Sequence, residues 1–231
     1  MNFQKTYTVE DKSITAQVNQ IKRIIRGSMN GVTVESMEQK GIHYKENYGV
    51  ALPRLQEIAK QYEPNLQLAT QLWFLGIRES MIVGSLLVPI NEITTEMAIK
   101  WCEQIPTNEL SEIAAMTLFS RLPNAPNLIE KLVNHTSEFV FLTSIATATR
   151  ITEQLSDKLI EQLVARYNDA KDSTFTVAQA MATLLSRVAS DQQTRLALVG
   201  NLTSQFAERE APYARFIFEY VTKELEYLKQ I

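Results

Sequence analysis

Three arginines, Arg121, Arg150 and Arg187, stand at the C-terminal ends of predicted helices and recur along the chain. A guanidinium in that place does one of two things. It offsets the carbonyl end of the helix dipole, or, if the helices stack in register, it joins a ladder that touches successive phosphates of a nucleic-acid backbone. A second basic group is Lys22, Arg23 and Arg26, which Gln20 to Arg26 place on one side of an amphipathic helix. The candidate carboxylates are Glu109 and Glu112. Both fall in the first turn of a helix that Thr107 or Asn108 would cap, where acidic side chains also offset the dipole. Carboxylate pairs at such spacing are too common on helices to mark a hydrolase.

Other chemistries find no support. Cys102 is the one cysteine, which closes no intrachain disulfide and builds no metal cluster. His43 and His135 lie far apart and have no ligand-spaced neighbour. The chain has no Gly-rich phosphate loop and no nucleophile-elbow motif. No metal or cofactor is expected.

The net charge of −3 and pI near 5.6 give no general attraction to DNA, so any such binding must be local. The N-terminal quarter is the more basic part, and Glu92, Glu96, Glu103, Glu109 and Glu112 form an acidic stretch. The longest apolar run, Met81 to Ile90, contains Gly84, Ser85 and Pro89 and is far short of a membrane span. The N-terminus, with Gln4, Lys5, Glu10, Asp11 and Lys12, lacks the apolar segment of a signal peptide. A cytoplasmic protein without a membrane partner is the expectation.

The elements that must position these groups are helices. Apolar residues follow a helical period nearly throughout, as in Leu155, Leu159, Ile160, Leu163 and Val164, and no long stretch alternates as a strand would. Ile113, Met116, Thr117 and Phe119 suggest an inner helix covered on both sides. Breaks at Pro53, Pro64, Pro89, Pro106, Pro123 to Pro126, Asp172 and Gly200 leave pairs at 66–76 with 78–88, 94–105 with 108–121, 125–134 with 138–150, 155–168 with 174–188, and 192–206 with 210–228. A unit recurring roughly every 30 to 40 residues is the signature of a stacked α-hairpin solenoid. The second helices of such a stack share one surface, usually concave. A compact helical bundle is the alternative. Either way the expectation is all-α, with residues 1–231 as a single domain.

Tyr48-Gly49-Val50 before the helix of Leu55 and Ile58-Ala59, then Leu68-Ala69-Thr70-Gln71-Leu72-Trp73, then Glu79, and Ala98 to Cys102, together resemble the AlkD-type DNA alkylation repair family. The resemblance runs from about Ile21 to the last helix. It implies HEAT-like repeats wound into an α-α superhelix that grips duplex DNA, and excision of cationic alkylated purines. The family's reactive segment, Ser-Trp-Asp-x-x-Asp, aligns with Thr107 to Glu112. Asn108 then stands in the place of the lesion-facing aromatic, Glu112 in that of the key carboxylate, and Thr183 in that of a second lesion-facing tryptophan. The family's middle arginine falls near Thr143-Ser144. The resemblance thus implies a protein that binds duplex or branched DNA through Arg121, Arg150, Arg187, Lys22, Arg23 and Arg26, with weak or absent glycosylase activity. Two other readings stay open: a protein-interaction scaffold without DNA binding, and an active glycosylase using Glu112.

Overall fold

A computed structural model describes residues 12–170, 172–209 and 213–230. The signal-peptide expectation rests on residues outside these, apart from Lys12, and so does the start of the predicted last helix, 210–212. Among the described residues there are thirteen α-helices, short 3-10 turns and no strand, only an isolated parallel bridge between Glu46 and Ile77. None of these helices is long and apolar enough to cross a membrane.

The chain clusters into two compact units, residues 1–123 and 124–231. The first contains α1 (Lys12–Gly27), α2 (Gly31–Gln39), α3 (Leu52–Ala59), α4 (Leu66–Trp73), α5 (Arg78–Leu86), α6 (Thr95–Cys102) and α7 (Asn108–Thr117). The second contains α8 (Ala125–Leu132), α9 (Glu138–Ala148), α10 (Asp157–Asp169), α11 (Phe175–Asp191), α12 (Leu196–Ser204) and α13 (Ala214–Leu228). From α4 onward these elements match the predicted pairs, mostly trimmed at the ends, although α10 and α11 run on to Asp169 and Asp191, which leaves Arg187 one turn inside its helix. Their starts are chemical. Asn65, Thr94, Thr107, Ser156 and Thr174 each accept a backbone N–H of the first turn. Pro53 and Pro126 occupy the opening turns of α3 and α8, where no backbone donor is lost.

Within the first unit, α4 and α5 form an intimate pair, and α5 also packs on α1, α3 and α7. Gly84 permits the closeness, because a Cβ there would lie 2.9 Å from the Ala69 carbonyl oxygen and 3.1 Å from the Trp73 amide nitrogen. Trp73 is fully buried and stacks on Trp101 of α6, with centroids 4.8 Å apart and planes 18° from parallel. In the second unit α9 packs on α11 and α11 on α13, while α12 covers both α11 and α13. The second helices of successive pairs are therefore direct neighbours within that unit.

The expected inner helix around Ile113 and Met116 is only partly one. Met116 is 40% exposed and Ile113 half-buried. The helices enclosed on all sides are α5, buried from Arg78 to Ser85, and α9, buried from Val140 to Ala148. Serine and threonine enter α9 without orphaned hydroxyls. Thr143, Ser144 and Thr147 each donate to the carbonyl four residues earlier, a local bond that satisfies the hydroxyl inside the helix.

Candidate nucleic-acid interface

A buried polar network in the first unit fixes the start of α7. Arg78, 4% exposed, opens α5, and a cation at a helix N-terminus is opposed by the dipole. Carboxylates account for its place. Its Nε donates to Glu109 Oε2 at 2.9 Å and its Nη2 to Glu109 Oε1 at 2.6 Å, a bidentate pair. Its Nη1 donates to Glu79 Oε1 at 2.9 Å and to the Val50 carbonyl at 3.0 Å. Burial opposes the Arg78 charge, and the bonds to Glu109 and then Glu79 outweigh it, holding the guanidinium pKa above its ordinary value.

Glu79 is wholly buried and reaches back to the Tyr48-Gly49-Val50 turn. Its two oxygens accept the amides of Tyr48 at 3.1 Å and Val50 at 3.2 Å. The turn admits only glycine in its middle. Gly49 has φ +68°, and a Cβ there would fall 2.3 Å from the Asn30 carbonyl oxygen. On the other side of Glu109, Tyr44 donates its hydroxyl to Oε2 at 2.8 Å and accepts one from Thr107 at 2.6 Å. Burial, then the Glu109 charge, raises the Tyr44 pKa far above its ordinary value and keeps the phenol protonated. Thr107 also caps α7 by accepting the Leu110 amide at 3.2 Å. Turn, α5 and α7 are thus tied by one chain of charge-assisted bonds.

That network employs Glu109 and fixes the frame from which Asn108 and Glu112 project. Both are half-buried, and Glu112 stands one turn beyond Glu109 on the same side of α7. Thr183 is exposed on α11, its hydroxyl turned to the Gln179 carbonyl.

The cations are placed as follows. On α1 the apolar stripe Ile14, Val18, Ile21 and Ile25 is buried, Lys22 is half-buried beside it, and Arg23 and Arg26 are exposed. Arg26 is drawn to the glycine turn. Its Nε donates to the Tyr48 hydroxyl at 2.9 Å, its Nη2 is 3.8 Å from Glu46, and its guanidinium lies 5.9 Å from the Tyr48 ring centroid. The Tyr48 bond, foremost, raises the Arg26 pKa. Arg121 in the first unit and Arg150 in the second are exposed and cap their own helices, donating to the Thr117 and Ala146 carbonyls at 2.8 and 2.6 Å. Arg187 pairs with Asp191 at 3.1 Å, with its side chain 62% exposed.

Arg78 and Tyr44 escaped the sequence reading. For Arg78 a signal existed: a lone cation opening an apolar helix requires buried anions nearby. Tyr44 carried none. His135 accepts the Ser137 amide at Nδ1, a turn-closing role. No group of three or more His, Cys, Asp or Glu among the described residues could hold a metal.

Comparison with known proteins completes the picture. The profile of a family described as "DNA alkylation repair enzyme" matches residues 21–212. A solved structure described as "A new family of proteins related to the HEAT-like repeat DNA glycosylases with affinity for branched DNA structures" is similar with a TM-score of 0.72 and 17% sequence identity, over 91% of this chain and 94% of that one. No curated protein matches the chain. At that identity the structural likeness establishes the fold, an all-α HEAT-like repeat architecture.

Proposed function

Because the chain belongs to the DNA alkylation repair enzyme family, we propose that it binds duplex or branched DNA through the phosphate backbone, with weak or absent alkylpurine glycosylase activity. The observation that carries this reading is a tightly bonded frame around the segment that the resemblance aligns with the family's reactive one. Arg78, Glu79, Glu109 and Tyr44 lock the glycine turn and the start of α7 together, and that turn of α7 offers Asn108 and Glu112.

Excision of a cationic purine develops positive charge on the sugar, which a placed carboxylate must offset. Glu112 is one methylene longer than the family's aspartate, and a carboxylate misplaced by about 1 Å costs on the order of a hundredfold in rate. Aromatic faces would hold the cationic base by cation–π contact worth roughly 0.5 to 2 kcal/mol each, and neither Asn108 nor Thr183 supplies one. Backbone binding needs only the cations. Lys22, Arg23 and Arg26 on α1, with Arg121, Arg150 and Arg187, are the proposed phosphate contacts. The structural relative's described affinity for branched DNA supports extending the ligand beyond plain duplex.

The test is affinity for a duplex and a branched DNA at two salt concentrations. Binding that weakens as salt rises is expected, and absence of binding at low ionic strength would sink the reading in favour of a protein-interaction scaffold. Release of methylated purines from treated DNA is expected near background. A robust release that disappears in Glu112→Gln would instead establish an active glycosylase.

A further inference from the structure

The second unit carries an exposed aromatic cluster that the cationic groups above do not use. Phe175, the first residue of α11, is 46% exposed, Tyr213 48% and Tyr220 43%, and Phe216 is half-buried between them. Their centroids lie 5.4 Å (Phe175–Tyr213), 4.9 Å (Phe175–Phe216) and 5.8 Å (Phe216–Tyr220) apart. The planes are tilted by 68°, 60° and 37°. The Phe175–Tyr213 pair meets edge to face and the other two pairs are tilted, so none stacks flat and the rings do not cover one another fully. Large rings left in water as one patch mark a binding surface rather than incidental exposure.

The backbone points the same way. Tyr213 has φ +60°, the left-handed region that a bulky aromatic avoids, and among the described residues it is the one non-glycine with positive φ. Tyr213 stands at the N-cap of α13, with its ring against Phe175. Exposed positions then climb α11 in steps of four, Phe175, Gln179, Thr183 and Arg187. Phe175 and Arg187 are thus about 18 Å apart along a single helix. Lys223, exposed, follows Tyr220 by three residues, and Arg215, 88% exposed, engages the carboxylate of Glu219.

We propose that Phe175, Tyr213, Phe216 and Tyr220 form a stacking platform for unpaired bases, the single-stranded part of a branched or frayed DNA whose backbone passes Arg187. The proposal rests on the DNA-binding reading above and adds what part of the nucleic acid is read. Aromatic faces suit bases of any sequence because every base has a π-face, and nearby cations serve the phosphates. A protein segment could also pack on these four rings, and failure of oligothymidylate to bind is the outcome that would favour it. The opposing charges on this side are Glu219, paired with Arg215, and Glu224, one turn past Tyr220, with Asp172 and Glu138 near the start of α11.

The experiment uses the full chain with a fluorescent oligothymidylate and a blunt duplex of equal length. Phe175→Ala combined with Tyr220→Ala is expected to weaken oligothymidylate binding by about tenfold or more while duplex binding stays within about twofold. Tyr220→Phe, which keeps the ring, is expected to bind like the parent, and Tyr220→Ala alone serves should the double variant unfold. Unchanged oligothymidylate affinity in a folded Ala variant overturns the platform. A parent that binds duplex but not oligothymidylate overturns it too and leaves the backbone reading standing, whereas a parent that binds neither removes both. A parent that self-associates and becomes monomeric with the Ala changes, without binding oligothymidylate, shows a contact between copies of the chain and overturns the platform likewise.

Discussion

Arg78 concentrates more of the first unit's polar order than any residue singled out from sequence. Arg78→Ala would leave Glu79, fully buried, and Glu109 without their cation. Loss of about 3–5 kcal/mol is expected, read as a fall in the urea midpoint, because stranding a buried charge costs far more than the net worth of the pair. A second prediction concerns alkali. Burial, with a smaller contribution from Tyr213, pushes the Tyr167 phenol up to about 12. The folded protein therefore holds this proton after the unfolded chain has released it. Stability from this source is intact below the ordinary tyrosine value near 10 and is lost as pH rises from there through about 12. Denaturant midpoints at pH 8, 10.5 and 11.5 should show the decline, with a shallower one in Tyr167→Phe. On α1, Arg23→Ala should lower DNA affinity without sequence preference and reduce the salt slope by about 1, the mark of one phosphate contact.

Elements owe their positions to a few close approaches. Gly84→Ala forces a methyl between α4 and α5 and is expected to cost about 1–3 kcal/mol, as overpacking does. Gly49→Ala combines a left-handed backbone with a Cβ pressed on the Asn30 carbonyl, so the loss should be larger and should disturb the link from the glycine turn to α7. Equilibrium unfolding of the two variants checks the order. The helix pairs themselves were legible because caps, prolines and the apolar period agree. Enclosure was less so. Met116 belongs to an apolar segment yet meets solvent, while Thr143, Ser144 and Thr147 are buried because their hydroxyls bond within α9.

At the scale of the whole molecule, charge is nearly even. Of 23 Lys+Arg and 26 Asp+Glu, 12 and 13 fall in residues 1–123, so neither unit is basic as a whole and the proposed affinity for DNA would have to come from local clusters. Salt-sensitive binding that survives only at modest ionic strength is accordingly expected. The expectation of one domain over residues 1–231 is a proposal that calorimetry decides: a single transition with equal calorimetric and van't Hoff enthalpies supports it, and two transitions give each unit its own stability.

The family, the helical class and the order of the helix pairs were determined by sequence alone, because capping, helical period and the Tyr48 to Trp73 segment are local patterns. The proposed replacements at Asn108, Glu112 and Thr183 likewise rest on the sequence resemblance alone. Tertiary structure decided the partners. Glu109 could be read as a first-turn carboxylate, but its bidentate bond to Arg78, 31 residues away, and its bond to Tyr44, 65 away, depend on how α5 and α7 pack. Likewise Phe175 and Tyr213 are ordinary aromatics in the chain, and they meet only because α13 lies along α11. Contacts between distant residues are set by packing of whole helices, and no short-range pattern records them.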